Sequence, residues 1–532
     1  MISKTNIPVP GTSPMSRKHA WGALTILSIA AVLVCLGTFP LLKPKPQDDV
    51  ASYLYTAQLL LDGGMPYRDA FAIKSPGMFY LDAAALTIIH NPLWSAWCLD
   101  VVFTVIGAII SFTILRQIFD PRTGMVATLL WMAAFALLRE GTRPEELALP
   151  IQFAIVLLLT KALHGPLGRC VFYGVLSGIL ATFLFSMKVN LIGTSCAAII
   201  TSVIVLYRQR RIRVLIQYIT AFTFGAVITA IPIFLHYGLA GALDDMYTDI
   251  ILFGRSYADV SLATRIQAFG EGAMTLAPAG ILLIGAIGWM STALNQIPHK
   301  LNLPEPLVIA MIDLPLSYIM ISLPGRSFDY YYTPLMPSLS VLAALTIHSF
   351  FARSSQNKLS LLMVASLIIP SCFLPIAREL RYISMSIQEG DSTEEVVDFI
   401  ESHTSSSDTI LVWGHEPWVY VASDRRSPVK EWLAEPLFTK GFTEPEMYDQ
   451  LIANLQTSTP DLIIDTAISG YIAPPISARD RERWSPDRSS AFDDVYYVPD
   501  EVQLFYDFVL HHYHLVGHFG DDGWAVYAVN ER

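Results

Sequence analysis

The chain has 532 residues, 53% hydrophobic and only 15% charged, short of the roughly 25% charged expected of a water-soluble domain. Its net charge of -11 comes from acids gathered in the last third and in a few loops between apolar runs, so it gives no reason to expect nucleic-acid binding. The five cysteines, Cys35, Cys98, Cys170, Cys196 and Cys372, lie in or beside hydrophobic segments without metal-ligand spacing, which argues against a disulfide framework.

Lys4, Arg17 and Lys18 precede the apolar run Trp21 to Leu42, which is long enough to span and reads as an uncleaved first helix. A membrane helix needs about 20 mostly apolar residues. Further candidates lie near 101–118, 124–139, 147–163, 171–187, 189–207, 214–237, 273–293, 306–323, 333–351 and 359–376, about eleven spans in all. The segment 75–89 would make a twelfth, but it is short, has Asp82 in its middle and opens with Pro76-Gly77. Were it to cross, the cluster Arg208, Arg210, Arg211 and Arg213 would lie outside. Leaving it uncrossed puts that cluster inside with Arg116, Arg122, Lys161, Arg169, Lys300, Arg353 and Lys358, as the positive-inside rule requires. The segment is therefore expected as an interfacial helix on the outer leaflet, paired with the helical run Tyr53 to Leu61 in the first outer loop.

From about Ala377 polar residues run throughout, so 1–376 reads as a transmembrane domain and 377–532 as a soluble, extracytoplasmic one. A helix is expected over Thr393 to Ser402, strands over Thr409 to Trp413 and Asp461 to Ile464, and irregular chain over Pro474 to Val498. The fold class is mainly α, a polytopic transmembrane helical bundle with a C-terminal soluble α/β domain. No short-period repeat stands out.

Ionisable residues are costly where they face lipid, and here they gather in four places. These are Asp48-Asp49 through Tyr53 to Arg68-Asp69; Lys74-Ser75-Pro76; Arg139-Glu140 through Arg143-Pro144-Glu145-Glu146; and Arg326 through Asp329 to Tyr332. With the parity above, all four face the same side, which is the case for a site.

In order and spacing these segments resemble the GT-C superfamily of glycosyltransferases, in particular bacterial membrane proteins akin to protein O-mannosyltransferases and the lipid A aminoarabinose transferase. The residues that carry the resemblance are Asp49 with Tyr53-Leu54-Tyr55-Thr56-Ala57-Gln58, Leu59 to Asp69, Lys74-Ser75-Pro76, the Arg143-Pro144-Glu145 corner, Gly325-Arg326 to Pro337, and Ile410 to Gly414 in the tail. The chain departs from the family pattern at Val50, where an acid often follows the aspartate, and at Asp329-Tyr330, where a histidine is usual. The resemblance implies an inverting transfer of a sugar from a polyprenyl-phosphate donor to an extracytoplasmic glycan, lipid or protein hydroxyl. Asp49 would then be the general base, with Asp48 sharing the role and Glu145 beside it. A bacterial inner membrane, a cytoplasmic N-terminus and no required cofactor are further expectations, a divalent metal being left open.

The chemistry suits these residues. An acceptor hydroxyl becomes a nucleophile when a nearby carboxylate takes its proton. A polyprenyl phosphate leaves as a stabilised anion and asks for cations, for which Lys74, Arg143, Lys188 and Arg326 are the candidates. Tyr53, Tyr330 and Tyr331 are candidates for lining a sugar or acceptor pocket. Each has a plainer role: Asp48 and Asp49 as helix N-caps, Glu145 and Glu146 as first-turn acids favouring a helix dipole, the cations as snorkelling residues, and the tyrosines as an interfacial belt. Asp313, inside the ninth span, suits pairing with a neighbouring helix or proton coupling. In the tail, Trp413, His415, Glu416, Trp418 and Tyr420 cluster in one turn region, and His511, His512, His514 and His518 gather near the end, with Gly517 disfavouring a helical metal pair there. A GT-C enzyme is expected to place Asp49, Glu145 and one of Lys74, Arg143 or Arg326 in a single cavity. The alternatives are a polytopic transporter or lipid-sugar flippase, and a membrane-anchored sensor.

Overall fold

The computed structural model describes residues 16–296, 303–354, 392–470, 472–484 and 495–530, with isolated positions between 355 and 391. Among them nine helices are long and apolar enough to cross a membrane. The first span, α1 (Arg17–Thr38), is followed by two non-spanning helices, α2 (Asp48–Leu61) and α3 (Gly77–Ile88). Seven spans come next: α4 (Pro92–Ile118), α5 (Pro121–Leu138), α6 (Pro144–His164), α7 (Leu167–Met187), α8 (Val189–Arg208) and α9 (Ile212–Leu239), and then, past the pair α10 (Leu262–Ala279) and α11 (Ile281–Leu294), α12 (Glu305–Ser322). The ninth is α13 (Asp329–Ala352).

The expected spans are all accounted for except two. The stretch 273–293 is broken: α10 and α11 meet at 106°. Pro278 tightens the end of α10 into a 3-10 turn and Gly280, at φ 68°, takes the left-handed conformation that stops a helix. The span expected at 359–376 lies outside the described residues apart from isolated positions, as does the boundary expected at 376. At 12 residues α3 is about 18 Å long against about 30 Å of hydrocarbon, so it does not cross, and with α2 it forms the expected helix pair of the first loop.

Between apolar helices in lipid, close backbone approach replaces the hydrophobic effect as the source of packing. It is most pronounced where α7 crosses α9. A Cβ on Gly178 would stand 1.9 Å from the Phe222 carbonyl oxygen, and one on Gly225 would stand 2.1 Å from that of Val175. Away from this seam α9 exposes Ile216, Phe224, Val227, Ile231 and Phe234, as a lipid-facing helix does. Asp313 is fully buried in α12 and accepts hydrogen bonds from the hydroxyls of Thr194, Ser317 and Ser338. Helix pairing is thus its role in the fold.

The C-terminal domain is built on a four-stranded sheet in the order β1-β2-β4-β3. β1 (Ile410–Trp413) and β2 (Leu462–Asp465) are parallel, in register Ile410 to Leu462. β4 (Trp524–Val529) lies antiparallel to both β2 and β3 (Tyr513–Phe519). β1 and β2 are buried along their whole length, as parallel strands covered on both faces must be. The flanking helices are α14 (Ser392–His403), α15 (Pro445–Thr457) and α16 (Val502–His512). The helix expected at 393–402 and both expected strands are present within a residue or so. Of the Pro474 to Val498 stretch, Ala478–Arg481 forms one helical turn and 485–494 lies outside the described residues. His514 and His518 sit on β3.

This domain rests on the first loop. The Tyr55 ring stacks on Trp432 with centroids 4.0 Å apart, the Trp432 indole N–H donates to the Phe71 carbonyl at 2.8 Å, and the Phe71 amide donates to the Lys430 carbonyl at 2.8 Å. Lys430 Nζ reaches Asp245 at 2.9 Å and Asp249 at 3.2 Å, and Arg426 pairs with Asp62. Substituting Gly178 by Val forces α7 away from α9 and is expected to cost about 1–3 kcal/mol. A thermal melt of the detergent-solubilised protein should show a clear drop for Gly178→Val and none for Ile231→Val on the lipid face.

Candidate active site

The first loop presents its acids through a helix that starts without a side-chain cap. Gln47 is the N-cap residue and makes no capping bond, so Asp48 and Asp49 occupy the first turn of α2 rather than the cap position. That removes the N-cap role and leaves both carboxylates favoured by the helix dipole. Asp49 Oδ2 is ion-paired with Arg143 Nη1 and lies 3.8 Å from Lys74 Nζ.

Each cation is placed by local chemistry. The Tyr67 hydroxyl donates to the Lys74 carbonyl at 2.7 Å, and the Asp69 carboxylate accepts the Met65 amide at 2.7 Å, which closes the 65–74 loop. Gly77 then packs against the end of α7, where a Cβ would stand 2.5 Å from Ser186 Oγ. Arg143 precedes Pro144 at the start of α6. Its loop is held by Glu146, which accepts the amides of Glu140 at 2.7 Å and Gly141 at 3.1 Å. Behind it buried Arg139 pairs with Asp100 and donates to the Val34 carbonyl and the Thr38 hydroxyl, both at 3.0 Å.

The aromatic run seats the cations. The Arg143 guanidinium lies 3.8 Å above the Tyr330 ring and Lys188 Nζ lies 4.0 Å above Tyr331. Lys188 also pairs with Glu145, which is buried. The tyrosines therefore face the charged cluster.

Beside Asp49 opens a small cavity of about 30 Å³, lined by Asp49, Tyr53 and Lys74 from the first loop and by His415, Trp432 and Glu435 from the C-terminal domain. Asp49 and Lys74 thus share one cavity as expected, while Glu145 lies behind Lys188 and does not line it. Arg326 is buried against Tyr257, its guanidinium 4.9 Å from that ring, with Nη2 donating to the Tyr257 carbonyl at 3.4 Å. It is not among the residues that line the Asp49 cavity.

Burial alone would raise the Asp49 pKa, but Lys74, Arg143, Lys188 and His415 hold its carboxyl below the usual carboxylate range. His415 is shifted up: burial opposes its charge, and Glu435, Asp48, Asp49 and Glu416 together outweigh burial. His415, Trp432 and Glu435 were not assigned to the site from the sequence. A signal existed for His415, which directly follows β1 at the carboxyl end of a parallel strand, where α/β sheets bind ligands. Gly414, at φ 132°, makes that turn, and a Cβ there would stand 2.4 Å from Thr466 Oγ1. Among the described residues no group of three or more His, Cys, Asp or Glu is arranged to hold a metal ion.

Two crystal structures of ArnT, a GT-C aminoarabinose transferase, from Cupriavidus metallidurans share this architecture. The form bound to undecaprenyl phosphate aligns with a TM-score of 0.62 at 11% identity, covering 96% of this chain and 100% of that one. The apo form aligns with a TM-score of 0.61 at 10% identity over 97% of this chain and 100% of that one. No curated protein matches the sequence. The fold and the span pattern define a multi-pass membrane protein of the GT-C fold. The chain belongs to the family described as "Putative competence-induced protein Ccs4 N-terminal domain", whose model matches residues 12–376.

Losing Arg143 should let the Asp49 pKa climb back toward the ordinary value of about 4. Carboxyl shifts of ¹³C-aspartate-labelled protein would report this, and an Asp49 titration unmoved in Arg143→Ala would show that the pair is not what depresses it.

Proposed function

We propose that the chain is an inverting glycosyltransferase that moves a sugar from a polyprenyl-phosphate donor to a hydroxyl acceptor outside the cytoplasm of a bacterial cell. Residues 1–376 form the catalytic membrane domain and 377–532 an extracytoplasmic domain, with the N-terminus in the cytoplasm. The observation that carries this is the Asp49 carboxylate held against Arg143 and Lys74 in the lining of a cavity. The GT-C fold supports it, and so does undecaprenyl phosphate in the ArnT structure.

Asp49 takes the proton of the acceptor hydroxyl as that oxygen attacks the anomeric carbon, and the polyprenyl phosphate departs from the opposite face. Arg143, Lys74 and Lys188 receive the phosphate charge; Tyr53, Tyr330 and Tyr331 surround the group. Asp48 and Glu145 support the electrostatics, Glu145 by fixing Lys188. Arg326 holds the loop ahead of α13 through Tyr257.

With Arg143 and Lys74 both on Oδ2, Asp49 is ionised but a weak base. An arriving phosphate competes for the same two cations. As they turn to it, the Asp49 pKa rises, so basicity develops when donor is in place. Asp313 offers a transporter little to work with, since three hydroxyls already satisfy it.

Purified protein given radiolabelled polyprenyl-phosphate sugars should transfer or slowly hydrolyse the sugar, and Asp49→Asn should lose at least about 100-fold in rate. Equal rates for the two would remove Asp49 from the mechanism. Arg143→Ala and Lys74→Ala are expected to raise the donor KM severalfold while the acceptor KM stays put.

A further inference from the structure

The segment between α9 and α10 takes no part in the reaction as written, yet it buries a carboxylate. Residues 243–257 run as two short helices joined by one π-helical turn, Thr248–Leu252, a rare widening of the helix that recurs at functional sites. Asp249 stands in that turn and is 1% exposed. Its Oδ2 accepts the Ala72 amide of the first loop at 3.1 Å, and its Oδ1 lies 3.2 Å from Lys430 Nζ of the C-terminal domain. Burial pushes this carboxyl up to about 7, with Lys430 and the Ala72 amide drawing it back down and Asp245 adding to the rise. Asp245, one turn earlier, also holds Lys430, at 2.9 Å. Lys430 thus has a second partner, and what Asp249 adds is the acceptor for Ala72.

Ala72 is two residues from Lys74, the cation 3.8 Å from Asp49. The same run is fastened at its other end by the Tyr67 hydroxyl, which donates to the Lys74 carbonyl at 2.7 Å, and the Tyr67 ring packs on Tyr237 at the end of α9 with centroids 5.2 Å apart. Next to Ala72, the Phe71 ring meets Phe253, in the short helix after the π turn, with centroids 5.1 Å apart. Ala72, Ile73 and Lys74 all line the Asp49 cavity, and Asp249 stands behind them, outside its lining. A lysine ammonium rides on a flexible four-carbon stem, so where it can reach depends on where its backbone is held. A backbone fixed in advance spares binding the cost of ordering it. Building on the transferase reading above, we infer that Asp249 is a positioning residue of the donor site: its carboxylate fixes the Ala72 amide, and with it the backbone that aims Lys74 at the donor phosphate. The segment after α9 thereby acts on the phosphate site without touching it.

The test uses the full chain in lipid nanodiscs and undecaprenyl phosphate as the probe, the bound fraction being read by native mass spectrometry. Asp249→Leu, similar to aspartate in outline but without an acceptor, is expected to weaken binding at least about fourfold, though no more than Lys74→Ala does. Asp249→Asn, which keeps an oxygen for the Ala72 amide, should recover most of that loss. In the Lys74→Ala background Asp249→Leu should add less than about twofold, and in the Arg143→Ala background its full effect, because only Lys74 transmits it. Should Asp249→Leu misfold, hydrogen exchange of the wild type decides: peptides covering 70–74 are expected to exchange slowly before the probe is added and to change little with it. Undiminished affinity in Asp249→Leu, a full further loss on top of Lys74→Ala, or fast exchange at 70–74 that slows only with the probe would each overturn the positioning role while leaving the transferase standing. A wild type that takes up no undecaprenyl phosphate would overturn both.

Discussion

The bond on which the site depends is the ion pair between Asp49 and Arg143, joined by Lys74. It draws together three segments separate in sequence, the first turn of α2, the loop that leads into α3, and the corner ahead of α6. An unpaired charge in so apolar a protein would be held at a heavy desolvation cost. One anion and two cations meeting at one point reduce that cost and leave a compact electrostatic centre. The tyrosines in the first turn of α13 complete it: Arg143 and Lys188 rest on their ring faces while pairing also with Glu140 and Glu145.

Behind that centre lies a layer of buried polar contacts whose function is position. Arg139 ties the carbonyl end of α1 to Asp100 of α4, and Glu146 gathers the amides of the 140–141 turn. The corner bearing Arg143 is thereby pinned to two neighbouring helices. Gly77 does the same for Lys74 by allowing α3 to press its start against α7.

The second wall of the cavity belongs to another domain, so the interface between them is part of the site. Tyr55 and Trp432 stack across it while Lys430 is clamped by two aspartates. α2 is consequently shared: its first turn bears the acids, Tyr53 lines the cavity, and Tyr55 faces the C-terminal domain. Alternate sides of one short amphipathic helix serve the membrane half and the sheet half together.

Much of this was legible in the residues. Long apolar runs with few charges admit little besides membrane helices, because a lipid-exposed backbone must bond to itself. Basic loop residues chose the parity that left segment 75–89 uncrossed. Order and spacing of Asp49, Lys74 and Arg143 then marked one face and a GT-C resemblance. The break between α10 and α11 was missed, since hydropathy is blind to direction and the Pro278 and Gly280 pair redirects the chain without changing its apolar character. That Arg326 packs on Tyr257 was not legible, because loops on one side look equivalent in sequence. His415 and Glu435 could only be joined to Asp49 by tertiary structure: more than 360 residues separate them from it in sequence, and the docking of one domain on another has no local pattern to announce it. Composition and periodicity determined the solvent, the helices and the charged face; which charges touch, and what covers them, was decided by packing, because contact between distant segments depends on the shape of everything between.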